Sequence, residues 1–367
     1  MNPIYVTQSF LPPLEEYVEH LKKIWETHQL TTNGPLHNEL EQALCARLGW
    51  KNASLFANGH LALEIALKSL NTNSGYEIIT TPYTYVSTLS AIVNQGFIPV
   101  FCDINDRFTI DIEQIETLIT EKTVAILPVH VYGFPCDVEA ITKIAKKHGL
   151  KVIYDAAHAF GVKVDGKDIA SFGDISMFSF QATKLFHTVE GGALVYYNDL
   201  LRKNFELYKN FGISGPDTIE LVGLNAKMNE FEAAMGLAVL PYLDEIIKRR
   251  KKIYEHYMEI LNDVSNIVTF STGINEGFNY AYVPILIENG RDRVYNYLAE
   301  HNIYARKYFY PCLSKVECYR KYLRNNSLEK AENTSDKVLT LPISHTIMLE
   351  HVEYICSLIK QATQLTV

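Results

Sequence analysis

Two stretches of this chain carry residues suited to covalent chemistry on a carbonyl: DAAHAFG at 155–161 and FSFQATKLFHTVEGGAL at 178–194. Asp155 closes one apolar run and Lys184 follows another. A lysine amine condenses reversibly with an aldehyde, and a buried carboxylate keeps a pyridine nitrogen protonated. Together they make an electron sink of pyridoxal phosphate. Each residue alone has a plainer explanation. A lysine is most often a solvated surface charge, and an aspartate at a strand end is most often a turn or cap residue. The neighbouring segments shift the balance. FANGHLALEIAL at 56–67 reads as a strand, a tight turn at Asn58-Gly59 and a helix, whose free N–H groups offer a seat for an anion. Ser179, shortly before Lys184, adds a hydroxyl. TPYTYVST at 81–88 brings Tyr85 to a strand end, where its flat ring can stack on a flat ligand.

Such side chains meet only if a scaffold gathers several strand ends, and in an open α/β sheet ligands lie outside the carboxyl ends of the strands. The spacing predicts helix over 61–70, strand over 77–81, helix over 86–94 closed by Gly96, and strand over 98–103. Helix 112–119 and strand 124–130 follow, then helix 138–148, capped by Asp137 and ended by Gly149. Three further strands are expected at 151–155, 175–180 and 192–197. Their near-continuous apolar content predicts a mostly parallel sheet covered by helices on both faces. Upstream, Leu14, Val18, Leu21 and Trp25 recur at helical spacing, as do Leu36, Leu40, Leu44 and Leu48 behind Pro35. After Asn229 the pattern changes. A helical stretch over 230–261 is interrupted by Pro241, and a strand at 280–287 and helices at 292–301 and 350–360 follow. The expected division is a large domain over 1–240 and a smaller C-terminal α/β domain over 241–367.

Bulk composition narrows the function classes. The chain has 47% hydrophobic and 21% charged residues, ordinary for a soluble protein. With 34 basic and 42 acidic residues the net charge is −8, which argues against a broad surface for nucleic acid. No stretch approaches the roughly 20 apolar residues of a membrane span, and MNPIYVTQSFLPPLEEY lacks the pattern of a signal peptide. The six cysteines form no CxxC pair and read as reduced core residues, not as a metal site. A cytoplasmic protein without nucleic-acid, membrane or metal partners is expected.

LTTNGPLHNELEQAL, NGHLAL, TPYTYVST, PVHVYGFPCD, DAAHAFG, FSFQATKLFHTVEGGAL, GLNAKMNEFEAAMGLAVL and ARKYFYPCLS follow one another along nearly the whole chain. In order and spacing they resemble the DegT/DnrJ-type sugar aminotransferases, within the fold-type I enzymes that use pyridoxal phosphate. The resemblance implies that Lys184 joins the cofactor's aldehyde and moves a proton between the substrate carbon and the cofactor's C4′. It implies that Asp155 pairs with the ring nitrogen, that Tyr85 and Ala157 flank the ring, and that His158 lies near the ring hydroxyl. Gly59, His60 and Ser179 would hold the phosphate, and Asn225 would reach the phosphate of a neighbouring subunit, so a homodimer with shared active sites is expected. Two positions depart from the family pattern. His60 stands where the phosphate turn usually has threonine, keeping the backbone donors and losing the hydroxyl. Lys227 stands where arginine is frequent, keeping the charge without the fork.

Glu190-Gly191-Gly192 resembles the segment of family members that aminate C4 of the sugar. The implied reaction moves an amino group from L-glutamate to a nucleotide-linked 4-keto-6-deoxy sugar, dTDP-4-keto-6-deoxy-D-glucose, for O-antigen or a similar surface glycan. His187, Glu190, Tyr308 and Tyr310 are candidate substrate contacts. The alternatives are amination at C3 of a 3-keto sugar nucleotide and a non-catalytic regulatory or binding protein on the same fold. A 3-dehydratase would carry histidine in place of Lys184. An amino-acid aminotransferase would show an arginine clamp, and a cysteine desulfurase a cysteine on a mobile loop; neither signature is evident.

Overall fold

Seven short apolar segments, each buried along most of its length, form the central sheet of the computed structural model, which describes residues 2–273 and 277–364. They are β1 (Asn52–Phe56), β2 (Glu77–Thr80), β3 (Ile98–Phe101), β4 (Thr123–Ile126), β5 (Lys151–Asp155), β6 (Ile175–Ser179) and β7 (Gly192–Tyr196). Their spatial order is β1-β7-β6-β5-β4-β2-β3. β2 to β6 pair in parallel, whereas β7 runs antiparallel to both β6 and β1. The exception has a local cause. Parallel neighbours need a crossover, usually a helix, and the segment between β6 and β7 holds none. The chain therefore doubles back, and the returning loop carries Lys184.

Alternate side chains of each strand enter different cores. Leu55, Ile79, Val152, Tyr154 and Phe178 pack beneath α2 (Pro35–Leu48), α5 (Ile112–Leu118), α6 (Val138–His148) and α8 (Glu230–Val239), with Ile24 from α1 (Leu14–Thr27). Phe56, Ile78, Ile153, Met177 and Leu194 face α3 (Gly59–Lys68), α4 (Val86–Asn94) and α7 (Leu200–Lys209). The start of α2 is fastened from a distance. Its N-cap, Gly34, has no side chain, and Glu230 of α8 accepts the Leu36 and His37 N–H groups at 2.8 and 2.9 Å instead. A Cβ at Gly34 would lie 2.4 Å from the Glu230 carboxyl carbon, so this junction has no room for a side chain.

Pro241 divides the long helical stretch as its missing N–H requires: α8 ends at Val239, a 3₁₀ turn spans Leu240–Tyr242, and α9 covers Leu243–Leu261. Beyond it, β8 (Ile267–Val268), β9 (Val283–Ile287) and β10 (Val338–Leu341) form an antiparallel sheet. α9, α10 (Arg291–Glu300), α11 (Glu329–Lys337) and α12 (Leu349–Gln364) contribute to its core. Tyr83, Phe108 and Tyr132 from the first half of the chain enter that same core, and Ile4–Tyr5 pair with Ile303–Tyr304. β9 starts three residues later than the expected strand at 280. Tyr280 has φ 52°, outside strand geometry, and Asn279 donates to the carbonyls of His158 and Phe160. This kink delivers Tyr282 to the cavity described next.

Candidate active site

The carboxyl ends of β5 and β6 open into a cavity of about 770 Å³. Gly59, His60, Tyr85, Asp155, Ala157, His158, Ser179, Lys184, Glu190 and Tyr308 all line it. Three other expected residues lie elsewhere. His187 is buried, with Nε2 2.7 Å from the Phe10 carbonyl and Nδ1 accepting from the Val189 N–H; both nitrogens are committed to packing, which corrects its assignment as a substrate contact. Tyr310 is half exposed, and its ring lies under the Arg291 guanidinium at 4.6 Å, outside the lining of its own chain's cavity. Asn225 is exposed and accepts from Lys227 Nζ at 2.9 Å; it lines no part of its own chain's cavity.

Asp155 is 5% exposed. Its Oδ2 accepts from the Thr88 hydroxyl at 2.8 Å, and its Oδ1 from the Ala157 N–H at 3.1 Å. Burial raises its pKa, while Thr88, Ala157 and the charge of Lys184 pull it back down. A buried carboxylate held only by neutral donors is stabilised by a cation placed over it, and a protonated ring nitrogen is such a cation. Thr88 is in turn fixed by Thr84, with the two hydroxyl oxygens 2.9 Å apart. Neither threonine stood out in the sequence as a site residue. Their contribution depends on α4 being laid against the end of β5, which a linear pattern does not reveal.

Lys184 is half-buried, and its Nζ donates to the Tyr282 hydroxyl at 3.3 Å. Tyr282 also escaped the sequence reading, because it lies beyond the kink at Tyr280. His158 is buried, and its Nδ1 accepts the Tyr132 N–H at 3.1 Å. Burial, joined by the Lys184 charge, holds its pKa well below the ordinary value. The ring is therefore neutral, with its proton on Nε2 as a donor. Tyr85, at the N-cap of α4, is 58% exposed, a free ring face at the cavity edge, and Ala157 is the small residue beside Asp155.

The opposite end of the cavity is built for an anion. Asn58 caps α3 through its side chain, which accepts from the Leu61 N–H at 2.8 Å. The N–H groups of the first turn have no carbonyl partners within the helix. The turn is pressed onto the sheet: a Cβ at Gly59 would sit 2.9 Å from the Ser179 Cβ, and one at Gly192 would sit 2.6 Å from the Gly59 nitrogen. Residue 60 is also well anchored. His60 Nδ1 lies 2.8 Å from Ser87 Oγ, and Nε2 lies 3.3 Å from Glu64 Oε1. A flat, phosphorylated pyridine with an aldehyde fits this arrangement: a phosphate seat, exposed aromatic Tyr85, a buried carboxylate and an amine share one cavity.

The profile of the DegT/DnrJ/EryC1/StrS aminotransferase family matches residues 14–360, and the chain belongs to that family. It is 42% identical over 365 residues to the dTDP-4-amino-4,6-dideoxy-D-glucose transaminase of Shigella dysenteriae, covering 98% of this chain and 99% of that one. The Escherichia coli transaminase of the same name is 44% identical over 348 residues, 93% of each chain. Among solved structures, DesI in the presence of its TDP-sugar product superposes with a TM-score of 0.94 at 30% identity, covering 99% of this chain and 94% of that one. A putative sugar aminotransferase from Streptococcus pneumoniae is known in PLP and PMP forms. Both superpose with a TM-score of 0.90 at 25% identity, covering 98–99% of this chain and 98–100% of theirs.

Proposed function

We propose that this protein moves an amino group from L-glutamate to C4 of dTDP-4-keto-6-deoxy-D-glucose, giving dTDP-4-amino-4,6-dideoxy-D-glucose and 2-oxoglutarate. One observation carries the reading: the Lys184 amine, the Asp155 carboxylate and the anion seat at Gly59 line a single cavity, in a chain that aligns nearly end to end with two transaminases of that name. Bound pyridoxal phosphate supplies the electron sink on which amino transfer depends. The protein supplies the rest. Asp155 holds a proton at the ring nitrogen, and Thr88 keeps that carboxylate in place. Tyr85 and Ala157 set the plane of the ring. Lys184 takes a proton from the amine-bearing carbon of the donor and returns one to C4 of the sugar. Tyr282 gives the lysine amine a fixed partner when it is free. Glu190 lines the cavity, which supports a contact with the sugar. Asn225 and Lys227 lie outside their own cavity and are proposed to serve that of a second copy, in a homodimer.

Turnover tests this directly. With pyridoxal phosphate and L-glutamate, the dTDP-4-keto sugar should yield a product with nitrogen on C4 by NMR, and the Lys184→Ala variant should yield none. Borohydride reduction should fix the cofactor to the peptide containing Lys184. Turnover restricted to 3-keto sugars would overturn the C4 assignment.

A further inference from the structure

His60 occupies the first turn of α3, next to the anion seat, and belongs to a chain of four polar side chains that ties α3 to α4. Asn94 Nδ2 donates to Glu64 Oε1 at 2.8 Å, the same oxygen lies 3.3 Å from His60 Nε2, and His60 Nδ1 lies 2.8 Å from Ser87 Oγ. We propose, on the reading that this cavity holds pyridoxal phosphate, that His60 is a proton-controlled anchor for the phosphate, its charge state deciding whether the Ser87 hydroxyl donates to the imidazole or to the anion.

The argument is one of donors and acceptors. Glu64 presents only acceptors when ionised, so Nε2 carries a hydrogen in both states of the ring. Nδ1 is the site that changes. In the neutral ring it is an acceptor and takes the Ser87 hydroxyl hydrogen. In the charged ring it is a donor, Ser87 Oγ accepts, and the hydroxyl hydrogen is released toward the cavity that Ser87 and His60 both line. A single proton thus adds a positive charge beside the anion seat and frees one extra donor. A threonine at this position would provide neither response.

Hydrogen bonding to Glu64 raises the His60 pKa, burial works against it, and the Glu64 charge assists. The side chain is 35% exposed, so protons reach it. Tyr85 precedes α4 as its N-cap and Ser87 lies in its first turn; Asp155 comes from the end of β5, Lys184 from beyond β6 and Glu190 from before β7. His158 follows β5, and Tyr282 and Tyr308 line the cavity from the later part of the chain. Apart from Glu64, these groups are the same in a His60→Thr variant, so comparing the two isolates the imidazole.

The sign follows from linkage. A bound phosphate raises the His60 pKa further. Affinity is therefore constant below the free-state pKa, falls as pH rises toward the bound-state pKa, and is constant again above it. Each unit of difference between the two pKa values is a tenfold change in affinity.

The test uses the full chain loaded with pyridoxamine 5′-phosphate, whose lack of an aldehyde keeps Lys184 from joining it. Equilibrium dialysis from pH 6 to 9 gives the dissociation constant. Between those limits the native protein should lose about tenfold more affinity than His60→Thr. Ser87→Ala should shrink that difference, and Glu64→Gln should move the fall to lower pH. Pyridoxamine without the phosphate should show no difference between native and His60→Thr proteins. Parallel curves for the native protein and His60→Thr overturn this inference alone. Failure of the native protein to hold pyridoxamine 5′-phosphate at any pH overturns the cofactor reading and this inference with it.

Discussion

That Asp155 and Lys184 line one cavity was legible in the sequence, because Asp155 closes one apolar run and Lys184 follows another. The side chains that contact them were not. Thr88 donates to Asp155 and Tyr282 accepts from Lys184 across separations of 67 and 98 positions, and no periodicity encodes such meetings. His187 failed as a substrate contact for the same reason: the Phe10 carbonyl that engages it comes from the N-terminal segment. The Thr88 contact leads to a prediction. A hydrogen bond to a charged group is worth about 1.5–3 kcal/mol, and here it acts on the carboxylate proposed to keep the ring nitrogen protonated. Thr88→Val should push the already raised Asp155 pKa higher and lower kcat roughly tenfold to a hundredfold. Thr88→Ser should restore most of the rate. Equal rates for Thr88→Val and the native protein would remove Thr88 from the site.

At the level of elements, the strand–helix alternation was legible, since buried strands and amphipathic helices leave different periodicities. The reversed direction of β7 was not, because it depends on the path of the loop before it. The start of α8 shows how an element and the site can be electrically coupled. Asn229 and Glu232 form a reciprocal capping box, yet the Glu232 pKa is pushed up to about 7 by burial, with the Glu190 charge adding to the effect and the Asn229 hydrogen bonds opposing it. The folded-state pKa lies above that of an unfolded glutamate. Folding is unaffected at pH 4, loses stability as pH rises from about 4.5 to about 7, and carries the full penalty above that. Glutamine at the same position keeps the capping geometry and removes the charge. Glu232→Gln should leave stability at pH 4 unchanged and raise it at pH 8 by about 1–2 kcal/mol, a figure reduced for the part of the group that faces water. Urea melts at both pH values would show this. A variant equally destabilised at both would mean that the carboxylate is needed for the cap itself.

At the scale of the whole molecule, the cavity is unevenly walled. Tyr85 is 58% exposed at its edge, and the segment that includes Phe211, Ile213, Ile219 and Val222 holds apolar side chains in the open, Val222 at 80%. Exposed apolar side chains of this kind suit an interface, and the proposed twofold dimer would place the same patch of each copy against the other. None of the described helices is long and apolar enough to cross a membrane, so a bilayer-spanning helix does not account for these side chains. A homodimer in which Asn225 of one copy completes the cavity of the other makes a prediction that a self-contained site cannot. Asn225→Ala and Lys184→Ala should each be nearly inactive alone. In a mixed dimer, the copy with Asn225→Ala keeps its lysine and receives an intact Asn225 from its neighbour, so one of the two sites is whole. Co-refolding equal amounts should return about a quarter of the native turnover, since random pairing makes half the dimers mixed and each has one working site. If each cavity used its own Asn225, mixing would recover nothing beyond the average of the two separate variants.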